Sequence, residues 1–295
     1  MKRIFFALMV GWALVAVAQR VTVTEQSRLL PVEGPAYYPV LSHDGEQLLF
    51  TSESTQGLNL YDFGTRAVTR VSDEPGAGYG ALFGGDGSIY YVSQERRENK
   101  LIYRTGHRYD QATGRSAVVL EAQHGPMQPV AATRGGAMKS RARNYSSAKA
   151  VGTAVYTQGS EVIIDIAGRE RRFSPVESWA GYLWASLSPD GQRVAFFAAE
   201  QGIIIIDLNG NVLARLGNYE MPCWYDDNYL VAQNTTDDGR QFTSSQILLL
   251  KADGTYKHEL TRPTSMTMQP TAGGGKIVYT TIDGNLTLMK INIQQ

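Results

Sequence analysis

The chain has 295 residues, 43% of them hydrophobic and 10% aromatic, and its 28 basic and 28 acidic side chains balance to a formal charge of +0. That much apolar material excludes a disordered chain, and the charge balance removes the basic surplus on which nucleic-acid binding depends. A single cysteine, Cys223, excludes an internal disulfide, so stability must come from packing.

Residues 1–18 read as a signal peptide. Met1-Lys2-Arg3 is basic, 4–15 is an apolar run, and Ala16-Val17-Ala18 is a small-residue cleavage site. The run is shorter than the ~20 residues of a membrane-spanning helix. The expected mature chain therefore begins at Gln19 or Arg20, is exported to the periplasm or secreted, and carries no membrane span. No cysteine follows the cleavage site to take a lipid, and loss of Lys2 and Arg3 leaves a small acidic excess.

Beyond the leader, short runs of Val, Ile, Leu, Phe, Tyr and Thr alternate with turns rich in Gly, Asp, Asn and Ser, which predicts an all-β chain. One phrase recurs. Leu187-Ser188-Pro189-Asp190-Gly191-Gln192-Arg193-Val194-Ala195-Phe196-Phe197 is its clearest copy; Leu41-Ser42-His43-Asp44-Gly45 and Phe83-Gly84-Gly85-Asp86-Gly87 open two more. With Pro39, Ala81, Pro129, Ala185, Pro222 and Pro270 as register marks, the chain divides into six units near 36–72, 78–122, 127–176, 182–217, 220–262 and 267–295. Such a period signals a repeat array in which each unit buries its faces against its neighbours.

The units read as four strands each. The first gives 37–41, 47–52, 58–62 and 67–71, and the fourth gives 183–187, 193–198, 202–208 and 212–216. The fifth gives 221–225, 229–234, 246–251 and 258–261, with a long loop over 234–243. The third is irregular: 134–149, between its first and second strands, holds five basic residues and no acid. The sixth shows only three strands, at 269–271, 276–281 and 285–292. The segment 20–33 is expected to supply the fourth and close the array, removing an open edge.

The Ser-Pro-Asp-Gly turn, the apolar strand after it, the Ile or aromatic strand ending in Asp and the short Gly hairpin resemble the WD40-like Pro-Asp β-propeller repeat of TolB-type proteins. The likeness extends over about residues 20–295 and is strongest in the first, second and fourth units. It implies a six-bladed β-propeller with four-stranded blades, a central channel, a periplasmic location and a role in protein interaction. TolB itself carries an α/β domain ahead of its propeller, which these residues do not contain, so the resemblance speaks to fold more than to pathway.

Catalytic motifs are missing: there is no G-x-S-x-G, H-E-x-x-H, Walker loop or C-x-x-C. His43, His107, His124 and His258 are scattered, and Cys223 reads as a small buried hydrophobe. No cofactor is expected, although a calcium ion in the channel or at Asp237 and Asp238 is conceivable in the Thr235-Thr236-Asp237-Asp238-Gly239 turn, which lacks the alternating ligands of a calcium loop. Binding surface is the better candidate. In a propeller the loops leading into the inner strands crowd one face, which here would carry Tyr37, Tyr38, Tyr79, Gln128, Tyr182, Trp184, Trp224 and Gln269. Aromatics with a polar edge favour interfaces, with packing between blades as the alternative for Trp184 and Trp224. Arg134, Lys139, Arg141 and Arg143 form a candidate site for an anionic ligand.

These observations point to a monomeric, exported, non-catalytic propeller that binds a protein or peptide, envelope-associated in keeping with the resemblance, at one face of its channel. The alternatives are a propeller lyase or hydrolase acting on an acidic polysaccharide, which needs histidines and carboxylates to converge on the channel wall, and a scaffold component of an envelope complex.

Overall fold

The recurring turn is closed by its own side chains. In the fourth unit Ser188 Oγ donates to Asp190 Oδ1, which also accepts the Gln192 N–H at 3.0 Å, while the Arg193 N–H donates to Ser188 Oγ at 2.9 Å. Gly191 follows with φ of 70°, a conformation that glycine adopts without a steric cost. Ser42, Asp44, Gly45 and Gln47 make the same pattern in the first unit. There the Ser42 hydroxyl, followed by the Glu46 N–H, holds the Asp44 carboxyl below its ordinary range. A turn that saturates its own polar groups can repeat without help from the rest of the chain.

The computed structural model describes residues 19–29, 34–52, 55–140 and 152–294. The expected signal peptide, the 30–33 end of the closing segment, Arg141 and Arg143 lie outside the described residues. Six antiparallel sheets stand in a ring, each packed on the next. The first strand, β1 (Arg20–Arg28), belongs to the last sheet. Blade 1 holds β2 (Tyr37–Leu41), β3 (Gln47–Thr51), β4 (Gln56–Asp62) and β5 (Val68–Pro75). Blade 2 holds β6 (Leu82–Phe83), β7 (Ile89–Arg96), β8 (Ile102–Asp110) and β9 (Arg115–His124). Blade 3 has five strands, β10 (Met127–Ala132), β11 (Gly135–Ser140), β12 (Thr153–Gln158), β13 (Glu161–Ile166) and β14 (Arg169–Phe173). Blade 4 is β15 (Tyr182–Leu187), β16 (Arg193–Ala198), β17 (Gly202–Asp207) and β18 (Val212–Gly217). Blade 5 is β19 (Glu220–Trp224), β20 (Tyr229–Asp237), β21 (Phe242–Lys251) and β22 (Lys257–Glu259). Blade 6 is β23 (Thr267–Gly273), β24 (Lys276–Thr281) and β25 (Leu286–Gln294), completed by β1, which pairs with β25 from Arg20↔Gln294 to Arg28↔Thr287.

Alternation along each strand feeds two interfaces at once. Leu48 and Phe50 of β3 pack towards Val278 and Leu288 of blade 6, while Leu49 packs with Ile89 and Tyr91 of blade 2. In β17, Ile204 and Ile206 face blade 3, and Ile203 and Ile205 face blade 5. Both faces are dry, which is why Ile203-Ile204-Ile205-Ile206 is apolar without a break. Where the ring closes, the turn at Gly274 donates its N–H to His43 O at 3.1 Å, and a Cβ there would stand 1.9 Å from Asp44 O. The Gly273-Gly274-Gly275 run is thus a hairpin pressed against blade 1.

One expectation needs correction and one blade carries an addition. The 234–243 segment is mostly strand: Thr235↔Ser245 and Thr236↔Ser244 extend the β20 and β21 pairing to Asp237↔Phe242. Cross-strand hydroxyl bonds, such as Thr236 to Ser244 at 2.6 Å, hold it. Blade 3 carries a fifth strand, β11, beside the expected four. Its β10 touches β12 through the single pair Ala132↔Ala154 and otherwise pairs with β11. At about 4.8 Å per strand, a flat sheet would hold β11 roughly 19 Å from β14. Yet Lys139 on β11 reaches Glu170 on β14 at 3.0 Å and Asp165 on β13 at 3.6 Å. The β10–β11 hairpin therefore folds back as a wedge between blades. On one side Ala137 packs with Ala154 and Ile163 of blade 3, and on the other Met138 packs with Val92 and Leu120 of blade 2.

Candidate functional site

Strand direction assigns every loop to one of two faces. Inner strands begin, second strands end and third strands begin on what we call the upper face; the tight turns after the inner and third strands lie on the lower face. Exposed large apolar side chains divide unequally between them. Among the described residues, Tyr79, Leu101, Trp179, Leu183, Trp184, Phe242 and Ile282 all sit at the upper face, whereas Val23, Val118, Val119, Val212 and Leu213 run along outer strands and Ile166 alone is on the lower face. Trp179 is 88% exposed, Tyr79 59% and Trp184 40%. Exposed aromatics gathered on one face are the feature that marks contact surfaces.

The inner strands carry a second regularity. Tyr38, Trp184, Met221 and Gln269, at the same place in β2, β15, β19 and β23, have φ of 50°, 54°, 52° and 55°, and Gly80, just ahead of β6, has φ of 69°. Each of the four non-glycine residues lies within a break of register against the second strand. Left-handed backbone is costly for residues with a Cβ and tends to persist where a site needs it. Side chains cap the amides involved: Gln269 Oε1 accepts the Tyr38 N–H at 2.8 Å, and Gln233 Oε1 accepts the Gln269 N–H at 2.7 Å. The Tyr38 ring meets Tyr79 edge-on at 5.6 Å. A continuous set of contacts thus joins blades 5, 6, 1 and 2 around the upper mouth. Burial pushes the Tyr38 hydroxyl up, helped by Tyr79. The left-handed positions escaped the sequence reading; Gly80 before Ala81 was the one local sign.

The other expected residues separate. Tyr37 is half-buried, its hydroxyl 3.4 Å from Ile282 O, and the exposed Gln128 donates to Thr157 O at 3.1 Å. Tyr182 and Trp224 do not belong to the surface, at 3% and 6% exposure. The Tyr182 hydroxyl is satisfied by Val176 O; Trp224 Nε1 donates to Ser186 O at 3.2 Å with the Arg193 guanidinium over its ring. Lys139 is likewise withdrawn. Buried between Asp165 and Glu170, it is part of the wedge and not a surface cation, and Arg134 lies apart from it on the exposed turn of that hairpin.

The four histidines each keep their own company. His43 is in the lower turn of blade 1, His124 Nδ1 donates to Ile102 O at 3.1 Å, and His258 stacks on Tyr256 in the outer strand of blade 5. His107 is buried between blades 1 and 2, with Nε2 2.8 Å from Ser93 Oγ and 3.6 Å from Glu74 Oε2 and its ring stacked on Tyr91. Both partners share one ring nitrogen, so the set lacks the base-to-orienter geometry of a hydrolytic triad. Among the described residues no group of three or more His, Cys, Asp or Glu side chains is arranged to hold a metal ion. Asp237 and Asp238 turn inward on their own hairpin, accepting N–H groups of Gly239, Arg240 and Gln241. Burial pushes the Cys223 thiol up, and its sulfur accepts the Ala272 N–H at 3.3 Å.

The fold defines the chain as a six-bladed β-propeller. No family model matches the sequence, and no curated protein matches it. Among solved structures it is similar to TolB from Acinetobacter baumannii, with a TM-score of 0.50 and 16% identity over 76% of this chain and 53% of TolB. The chain thus spans about half the length of that protein. It is also similar to an oligogalacturonate lyase in complex with manganese, with a TM-score of 0.50 and 16% identity over 89% of this chain and 79% of the lyase. Likeness at this identity shows the propeller fold, which TolB and the lyase share.

Proposed function

We propose that this chain is a non-catalytic, exported propeller of the TolB-type repeat class that binds a protein or peptide through the upper face of its channel. The observation that carries the reading is the gathering of exposed aromatics on that face, beside the ring of left-handed inner-strand residues. Tyr38, Tyr79, Trp184 and Gln269 are its contact residues; Tyr37 and Gln128 stand at its margin. The lyase or hydrolase reading draws support from the second structural neighbour, but two features weigh against it. The histidines do not converge, and the six inner strands contain no Lys or Arg to receive an acidic sugar, Glu220 being their one charged residue.

The test is capture from a native envelope extract with three forms of the protein. The Tyr79→Ala/Trp184→Ala double variant should fold, each exposed site shifting stability by no more than about 1 kcal/mol, and should lose the captured partner. Trp224→Ala should instead cost ~3–5 kcal/mol in denaturant titration through a core cavity. Retention of one discrete protein by the wild type and by the double variant alike contradicts the proposed face. Retention of uronate oligosaccharide with turnover restores the enzyme reading.

A further inference from the structure

The upper face is not uniform in charge. Around blades 1 to 3 several of its acids are matched: Asp73 pairs with Arg70 at 2.6 Å, Glu95 with Arg97 at 3.2 Å and Glu161 with Arg172 at 2.9 Å, while Glu98 and Glu177 stand without an ion pair among the described residues. In blade 5 the pattern changes. Glu220 opens the inner strand β19 opposite Gln233, and Asp237 ends β20 four residues further along the same edge. Neither carboxylate has an ion pair among the described residues, and Arg240, at the exposed tip of the same hairpin, pairs with neither. Glu220 is half-buried, and its carboxyl is pushed up by burial first and by Asp237 second. A half-buried carboxylate with a second acid further along the neighbouring strand and no cation carries a cost that an arriving cation reduces. Beside them, on the adjoining inner strand β15, Leu183 and Trp184 are 48% and 40% exposed.

We propose that this blade 4 and blade 5 sector seats a cationic peptide segment, in which a Lys or Arg set against Glu220 and Asp237 neighbours an apolar anchor laid on Trp184 and Leu183. The assignment rests on the peptide-binding reading above and specifies its chemistry. Charge complementarity chooses the sign, since the inner strands offer an incoming chain one carboxylate and no cation. The exposed apolar pair supplies the contact area that a charge alone lacks.

The test is selection of random heptapeptides displayed on phage against the immobilised full chain. A fixed probe peptide, Leu-Arg-Phe-Arg-Leu with blocked ends, is then titrated beside its citrulline counterpart. Recovered sequences should place Lys or Arg next to an aromatic or aliphatic residue. The arginine probe should bind at least about tenfold more tightly than the citrulline form, and its affinity should fall as salt rises. Glu220→Gln and Asp237→Asn should each remove most of that preference, while Glu25→Gln on the outer strand leaves it intact. Asp237 is exposed, so its variant keeps the test decisive if Glu220→Gln folds poorly. Recovery of acidic or uncharged peptides, or equal binding of both probes, overturns the charge assignment and leaves peptide binding standing. Recovery of no peptide contradicts both.

Discussion

At the level of single residues, His107 shows how an interface between blades acquires a pH limit. Burial lowers its pKa below the ordinary 6.5, with Glu74 opposing. The folded state therefore binds this proton less readily than the unfolded chain does. Its contribution to stability is complete above the unfolded value and is lost as pH falls through the folded one. Thermal melting at pH 5 should thus lie below melting at pH 7.5, and His107→Gln, which keeps a polar contact for Ser93, should flatten the difference. An unchanged pH profile in that variant would remove His107 from the account. The same scale shows what the sequence could not reveal. Trp184 and Trp224 are both inner-strand tryptophans, and alternation does not separate them because propeller strands are dry on both faces. Depth along the strand decides: Trp184 sits on a left-handed bulge near the upper mouth, Trp224 at the far end under Arg193.

Among elements, the turns were the most legible and the wedge the least. Ser188, Asp190 and Gly191 satisfy one another locally, so the phrase announces its own structure. The β10–β11 hairpin has no such signal. Gly135-Gly136 reads as a turn, and a lysine at 139 reads as surface, until the strand is seen between two blades. Gly136 is required there, because a Cβ would stand 2.5 Å from the Tyr90 ring. Lys139 neutralises Asp165, only 1% exposed, and helps Tyr156 hold the Glu170 carboxyl below its ordinary range against the opposing effect of burial. Lys139→Met should leave Asp165 buried and unpaired, at a cost of about 3–5 kcal/mol. Denaturant titration would measure it, and hydrogen exchange should show β11 and β14 opening first. A variant as stable as the wild type would mean the wedge is held by Met138 and Ala137 alone.

For the molecule as a whole, closure is the organising fact. The repeat count and the short sixth unit foretold that an N-terminal strand would complete the last blade, and β1 pairs with β25 over the length of the strand. Val21 joins the core shared with Tyr229 and Ile277, so this strand is packed as well as paired. Removing residues 20–28 should lower the melting temperature by roughly 10 °C or more and expose the β25 edge to self-association. A monomeric truncated chain with unchanged melting would show that the ring closes without it. A closed ring also fixes which loops share a face, and so places Tyr38, Tyr79 and Trp184, distant in sequence, around one mouth.

That placement is tested most directly by a photo-crosslinking amino acid introduced singly at Tyr79 and Trp184 on the upper face and at Arg66 and Asn209 in turns of the lower face, followed by irradiation in native envelope extract. The account predicts a discrete adduct from both upper positions and none from the lower ones. Adducts confined to Arg66 and Asn209 would contradict it and move the binding surface to the opposite side of the ring.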